Sequence, residues 1–255
     1  WNKPMIHYVF NGVFFSPYSF ITRSIILSCL ALVFVLKIVE ANASTSLQKG
    51  MDLARRGDYA AAYREWLPLA QQGNARAQYY IGWVFDNGRG VGQSYENAVT
   101  WYRKAAEQGN PPALNNLALA YNDGRGVKKD HVEAIKWFSK AAYKGNAKAQ
   151  YNLGLIYGNE NSTLKDYKEA AKWYRKAAEQ EHMSAQFNLG ILYATGQGTE
   201  KDNVYAHMWL NIAASQGDLD AVKVRDLVAK RMTSEDIRKA QKLAHRCVQK
   251  KLVAC

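Results

Sequence analysis

PPALNNLALAYNDGRGVKKDHVEAIKWFSKAAYKGN occupies residues 111–146, and nearly the same text stands before it from residue 75 and after it to residue 218. The Gly-Asn of Gly73-Asn74 recurs at Gly109-Asn110 and Gly145-Asn146, then as Glu181-His182 and as Gly217-Asp218. Trp101, Trp137, Trp173 and Trp209 keep the same interval of 36 residues, and so do Ala77, Ala113, Ala149, Ala185 and Ala221. Self-similarity at a fixed period of 20–50 residues is the mark of stacked repeats. Such solenoids usually offer a surface to a partner rather than a catalytic pocket.

One copy, residues 75–110, reads as two helices. In its first half Ala77, Ile81, Gly82 and Phe85 fall on one face at helical spacing. Asp86-Asn87-Gly88-Arg89-Gly90-Val91 breaks the helix, since glycine tolerates the positive φ of a tight connection. In the second half Ala98, Trp101, Ala105 and Ala106 make another apolar face, with Arg103 and Lys104 outside it. Gly109 stops this helix, Asn110 caps the next, and Pro111 opens it where a missing N–H costs nothing. Alanines 98, 134, 170 and 206 let helices approach closely, while the tryptophans and Phe85, Tyr121, Tyr157 and Tyr193 fill what remains. Burying each large side chain is worth roughly 1.5–3 kcal/mol, and no copy holds enough core to fold alone.

The pattern carried by Ala113, Leu117, Tyr121, Gly124, Gly126-Val127, Asp130, Ala134, Trp137, Ala141-Ala142 and Gly145 resembles the Sel-1-like repeat, a relative of the tetratricopeptide repeat. A second copy carries it through Ala149, Leu153-Gly154, Tyr157, Ala170, Trp173 and Ala177-Ala178. The resemblance implies an all-α fold: a right-handed α-solenoid of antiparallel helix pairs. Four copies span 75–218, preceded by a partial one at 44–74 and followed by a helical cap at 219–255. The third copy has Glu160 and Ser162 where others have glycine, so its loop, Gly158 to Thr163, should take another path. The partial copy has Trp66 one place later than the register asks and Pro68 inside its second helix.

Residues 1–43 lie outside the repeats. Arg23, an apolar run from Ser24 to Leu36, Lys37 and Ala41-Asn42-Ala43 together describe a secretory signal peptide cleaved after Ala43. The alternative is an uncleaved anchor extending to Val39, although a membrane span needs about 20 apolar residues. The chain opens on Trp1, Met5 is an internal candidate start, and Cys29 sits in a poor lipoprotein context. After Asp218 the repeat fades into one helix and then a longer one from Thr233 to Lys250, a helix pair expected to close the stack. Cys247 and Cys255 are the only cysteines outside the leader, and in an exported protein an even pair reads first as a disulfide.

The whole chain carries 34 basic and 22 acidic residues, a net charge of +12. From Leu219 onward ten Lys/Arg face four Asp/Glu, so the basic cap could meet an anionic membrane or polymer, or be a solvated face. Export and the absence of any recognition motif speak against nucleic acid. His7, His131, His182, His207 and His245 are scattered without metal-ligand spacing. No nucleophile elbow or phosphate loop appears, because each Gly-x-Gly recurs once per copy and joins helix to helix. No cofactor is expected. Cysteine-rich bacterial members of the family bind β-lactams, but they carry a cysteine pair in each repeat, and none occurs here between Ser44 and Arg246.

In the related tetratricopeptide fold the first helix of each repeat lines a concave groove. By register the groove here comprises Arg76, Tyr79, Trp83 and Asp86; Asn115, Leu119 and Asn122; Lys148, Tyr151 and Leu155; and Phe187 and Ile191. This strip suits an extended peptide or a partner's helix, unless Trp83, Leu119 and Leu155 simply pack between repeats. Asn116, Asn152 and Asn188 recur beside the Leu-Gly step and point to a shared structural hydrogen bond. The leading expectation is an exported, monomeric, non-catalytic adaptor, in the periplasm if bacterial, that binds a protein or peptide. The alternatives are an envelope enzyme or peptidoglycan/β-lactam-binding protein, and a secreted factor that meets a host protein.

Overall fold

A computed structural model describes residues 37, 42–161, 163–252 and 255, and every regular element among them is a helix. The apolar run of the leader lies outside the described residues, and no described helix is long and apolar enough to cross a membrane. Ala43, the expected cleavage point, falls inside the first helix, α1, described over 42–55. Ten helices follow to Ala229: α2 (Tyr59–Gln71), α3 (Ala75–Asn87), α4 (Tyr95–Glu107), α5 (Pro111–Asp123), α6 (His131–Tyr143), α7 (Ala147–Gly158), α8 (Tyr167–Ala178), α9 (Met183–Thr195), α10 (Asn203–Ser215) and α11 (Leu219–Ala229). The last is α12 (Ser234–Gln249). Each packs on its neighbour in sequence through α11, which makes the chain an α-solenoid.

Both kinds of helix start are capped by side chains at matching positions. Asn74, Asn110 and Asn146 accept from the third residue of α3, α5 and α7, and His182 does the same for α9. Asp130, Asp166 and Asp202 each accept from two amides of the following helix. The second glycine of each Gly-x-Gly has a further task. A Cβ on Gly126 would lie 2.3 Å from the backbone of Tyr95, at the start of the previous repeat's second helix. Gly90 and Gly198 approach Ala60 and Tyr167 in the same way. These loops therefore clamp one repeat onto the one before it. In the third copy the loop takes the other path expected: α7 ends at Gly158 and passes into extended Asn159 (φ −76°, ψ 116°) instead of a left-handed glycine.

The hairpin before residue 75 is complete, and it corrects the reading of Trp66. That side chain is 2 % exposed and is not a displaced copy of Trp101. It holds the register of Tyr102, Phe138, Tyr174 and Leu210, of which Tyr102, Tyr174 and Leu210 lie against the first helix of their own hairpin. Its Nε1 donates to the Leu47 carbonyl at 3.3 Å, and it sits over Gly50 as Tyr102 sits over Gly82. Because the link between α1 and α2 is shorter than the loops that follow, α1 falls one turn out of the 36-residue register. Pro68 is carried inside α2 without ending it.

The C-terminal end also differs from expectation. Instead of forming a hairpin with α11, α12 lies against α10. The reason can be read by register. Lys172 and Lys176 of α8 flank the ring of Trp173, whereas the same positions of α10 are Met208 and Ile212, both fully buried. Ala244 and Cys247 of α12 share one buried cluster with them, and Cys247 Sγ lies 3.9 Å from Met208 Sδ.

The loop clamp yields a comparison. Gly126→Ala places a Cβ against backbone, while Gly145→Ala, also at positive φ, meets open space. The second substitution should cost only the left-handed backbone strain, about 1–2 kcal/mol, and the first at least about 1 kcal/mol more. Equal midpoints in urea unfolding would contradict the clamp.

Candidate functional site

The odd-numbered helices carry the expected groove, and its residues prove to be of two kinds. Asn115 is a correction: at 4 % exposure it belongs to the interior, accepting from Asn152 at 3.2 Å and donating to Asn116 at 3.3 Å. Asp86 is likewise engaged, accepting from the Tyr102 hydroxyl at 3.1 Å and facing Arg125 of the next repeat at 3.7 Å. Asn122 meets His131 Nδ1 at 3.2 Å. Leu119 is half-buried against the core, and Phe187 packs with the cluster between α9, α10 and α11. Ile191 is half-buried. Arg76 and Lys148 are exposed, and so is Leu155 at 41 %.

Tyr151 is half-buried, stacked on His182 with ring centroids 4.5 Å apart and tilted against Tyr174 at 6.0 Å. The repeating asparagines are structural, as their recurrence suggested. Asn116 sits beside the Tyr102 hydroxyl and Asn188 beside that of Tyr174, each favouring the oxygen as a donor would. Asn152 faces a repeat where that position is Phe138, which offers no hydroxyl, and it turns to Asn115 instead. Burial pushes the Tyr102 and Tyr174 hydroxyls far up, so both stay protonated and able to donate.

A second buried ladder escaped the reading of the sequence. Gln78, Gln150 and Gln186 each donate Nε2 to an alanine carbonyl of the preceding helix, at 3.1, 3.1 and 3.2 Å. Each accepts from a glutamine 30 residues on, Gln108, Gln180 or Gln216, at 2.7–2.8 Å. The second copy has Leu114 and Lys144 at these two positions, so both partners change together. The signal was present as glutamines at the repeat interval.

A concentration of groove residues that does not follow the repeat lies between α1 and α3. Tyr79, Tyr80 and Trp83 of α3, Tyr59 and Trp66 of α2, and Met51, Ala54 and Arg55 of α1 line a cavity of about 330 Å³. Tyr80 stacks on Trp66 with centroids 4.6 Å apart, and Trp83 tilts against Tyr59 at 5.5 Å. Later copies place Asn116, Asn152 and Asn188 at the position of Tyr80, and Leu119, Leu155 and Ile191 at that of Trp83. Of the sequence-expected residues this cavity gathers Tyr79 and Trp83, with Arg76 close by through its 3.9 Å contact to Met51 Sδ. Met51 and Arg55 were missed because α1 is out of register, and with them the cavity that Tyr59, Trp66 and Tyr80 complete.

Comparison with known proteins follows the repeat. The Sel1 repeat family model matches residues 75–110, 111–146, 147–182 and 184–218. The chain is a Sel1-repeat protein. It is similar to a Sel1 repeat protein from Oxalobacter formigenes, with 39 % identity and a TM-score of 0.64 over 69 % of this chain and 72 % of that one. It also resembles c5321, a protective antigen present in uropathogenic Escherichia coli strains that displays an SLR fold, at 30 % identity and a TM-score of 0.53. That match covers 84 % of this chain and 55 % of the antigen. A putative sel1 repeat protein from Klebsiella pneumoniae subsp. pneumoniae, 22 % identical with a TM-score of 0.50 over 74 % of this chain and 95 % of its own, shares the fold. No functionally curated protein is significantly similar to the chain. Sel1 repeats are in general protein–protein interaction modules and typically non-catalytic, so this member is expected to meet a protein partner.

One capping residue makes this surface pH-sensitive. His182 replaces the asparagine cap of other copies, and its Nδ1 accepts from the Ala185 amide at 3.3 Å, which requires a neutral ring. Burial first, and the charge of Lys148 as well, hold its pKa below the ordinary value of 6.5. Its contribution is complete above the ordinary value and is lost as pH falls through the depressed one. His182→Asn should therefore lose less stability than the natural protein between pH 7.5 and 5.5, by up to about the 1 kcal/mol of a helix cap. Parallel thermal melts at the two pH values check this, and identical losses would contradict it.

Proposed function

We propose that the chain is an exported, non-catalytic adaptor that holds a protein or peptide segment along the surface of its odd-numbered helices. One observation carries the reading. Positions that pack the helices repeat from copy to copy, while those facing outward from α3, α7 and α9 vary and include Trp83, Tyr151, Leu155 and Ile191. Variation on a fixed scaffold is what selective recognition of an extended segment needs. Aromatic and arginine side chains on such a strip are the types that most often carry binding energy.

Export to a periplasm-like compartment belongs to the same proposal. It rests on Arg23, the apolar run and Ala41-Asn42-Ala43. A disulfide between Cys247 and Cys255 fits it, because the chain turns back through Lys251 and Leu252 and brings the two Cα atoms within 5.6 Å. That distance lies in the usual span of a disulfide. The bond would tie the end of the chain over Leu252, buried against the α8–α10 core. Mass spectrometry of exported protein should find Ser44 as the first residue and a mass two hydrogens below the dithiol form. A chain retaining its leader, or carrying two free thiols after export, would contradict this part.

Recognition is tested by capture from an envelope extract. Trp83→Ala and Tyr151→Ala should each reduce capture at least tenfold with the helical circular dichroism unchanged. Lys140→Ala, which removes an ammonium 4.2 Å above the Trp137 ring on an even-numbered helix, should leave it intact. Capture insensitive to both groove changes would contradict the assigned face.

A further inference from the structure

The cavity between α1 and α3 bears on what kind of segment the groove takes, an inference that rests on the adaptor reading. Its walls are aromatic rings and the Met51 thioether, a flexible group that adapts to varied apolar shapes. Its volume of about 330 Å³ stands at the small end of ligand pockets, which run from about 300 to 1,000 Å³. That suits one large side chain better than a cofactor. Aromatic walls alone would also suit a cation, so the charge around the mouth decides.

That charge is positive. Arg55 is part of the lining, Arg76 reaches Met51, and the guanidinium of Arg89 lies 5.6 Å from the centroid of the Tyr59 ring. The neighbouring carboxylates are occupied. Asp52 pairs with Arg55 at 2.9 Å and accepts from Gln48 at 3.0 Å, and Asp86 holds Tyr102 and Arg125. The Tyr79 hydroxyl adds no anion, since burial, with Tyr80 and Asp86 nearby, raises its pKa above the ordinary 10.0. A cationic ligand would meet the guanidiniums of Arg76 and Arg89 beside the Arg55–Asp52 pair at the entrance. An apolar group flanked by carboxylates would meet donors suited to them.

We propose that this cavity is the anchor subsite of the groove and takes an aromatic side chain of a partner peptide whose neighbouring residues are acidic. The ring enters between Tyr80 and Trp83, and the flanking carboxylates reach Arg55 and Arg76. The subsite lies two repeats from Tyr151, so it fixes where along the solenoid the segment begins.

Three blocked pentapeptides test the assignment by isothermal titration, with two-dimensional NMR of the tryptophan indoles to locate binding. They carry a central Phe between glutamates, a central Phe between lysines, and a central Ala between glutamates. The glutamate–Phe peptide should bind at least tenfold tighter than either other and shift the indole signals of Trp66 and Trp83. Arg55→Glu combined with Arg76→Glu should reverse the order of the two Phe peptides. Trp83→Leu, the residue type of later copies at this position, should weaken binding at least fivefold while keeping the fold. Equal affinity for all three peptides, shifts confined to other tryptophans, or tighter binding of N,N′-diacetylchitobiose as a sugar probe would each overturn the proposal. Should the pocket fail in this way while capture still depends on Tyr151, the anchor assignment falls and the adaptor reading stands.

Discussion

The structure depends on the close approach of the two helices within each hairpin, which a small residue, in four cases glycine, permits. In four hairpins a large side chain of the second helix lies directly over a glycine of the first: Trp66 over Gly50, Tyr102 over Gly82, Tyr174 over Gly154 and Leu210 over Gly190. A Cβ at these glycines would come within 2.2–2.7 Å of the overlying side chain. Their absence of a side chain sets how closely the two helices approach. From that spacing follow the buried alanines between them and the reach of the Tyr102 and Tyr174 hydroxyls to Asn116 and Asn188. The second copy has Ala118 and Phe138 at these two positions, both buried in one cluster. Its lost hydroxyl explains why Asn152 has a different partner.

Much of this was legible in the sequence because the contacts repeat. Ala, Gly and the capping residues recur at 36 residues, and each performs one physical task wherever it appears. What stayed hidden depends on spacing that changes between copies. The shorter link between α1 and α2 shifts α1 by a turn, which concealed Trp66 as the partner of Gly50 and concealed the aromatic cavity. The place of α12 was hidden for another reason: Met208 and Ile212 look like ordinary core residues until they are set beside Lys172 and Lys176. Asn115 looked like a groove residue because register fixes a face, whereas the depth of burial depends on how large the neighbours are.

The even-numbered helices show how basic residues serve packing as well as solubility. Lys140 and Lys176 stand 4.2 and 4.8 Å from the ring centroids of Trp137 and Trp173, and Glu133 accepts from the Trp137 indole at 3.0 Å. Arg103, expected on the outer side, reaches across to the Tyr121 hydroxyl of the next repeat at 2.7 Å. Part of the positive charge is therefore spent within the solenoid. On α12, where the repeat is least regular, Arg238, Lys239, Lys242 and Arg246 gather on one part of the surface.

Gly154→Ala in α7 separates this explanation from simple helix propensity. Alanine favours a helix interior over glycine by about 1 kcal/mol, so propensity alone makes the variant more stable. The contact with Tyr174, 2.4 Å from the new Cβ, makes it less stable by upwards of about 1 kcal/mol net, as overpacked cores are. Equilibrium urea unfolding of the two proteins gives the sign directly. A lowered midpoint is the predicted result, and a raised or unchanged one would contradict the glycine contact as the feature that sets the helix spacing.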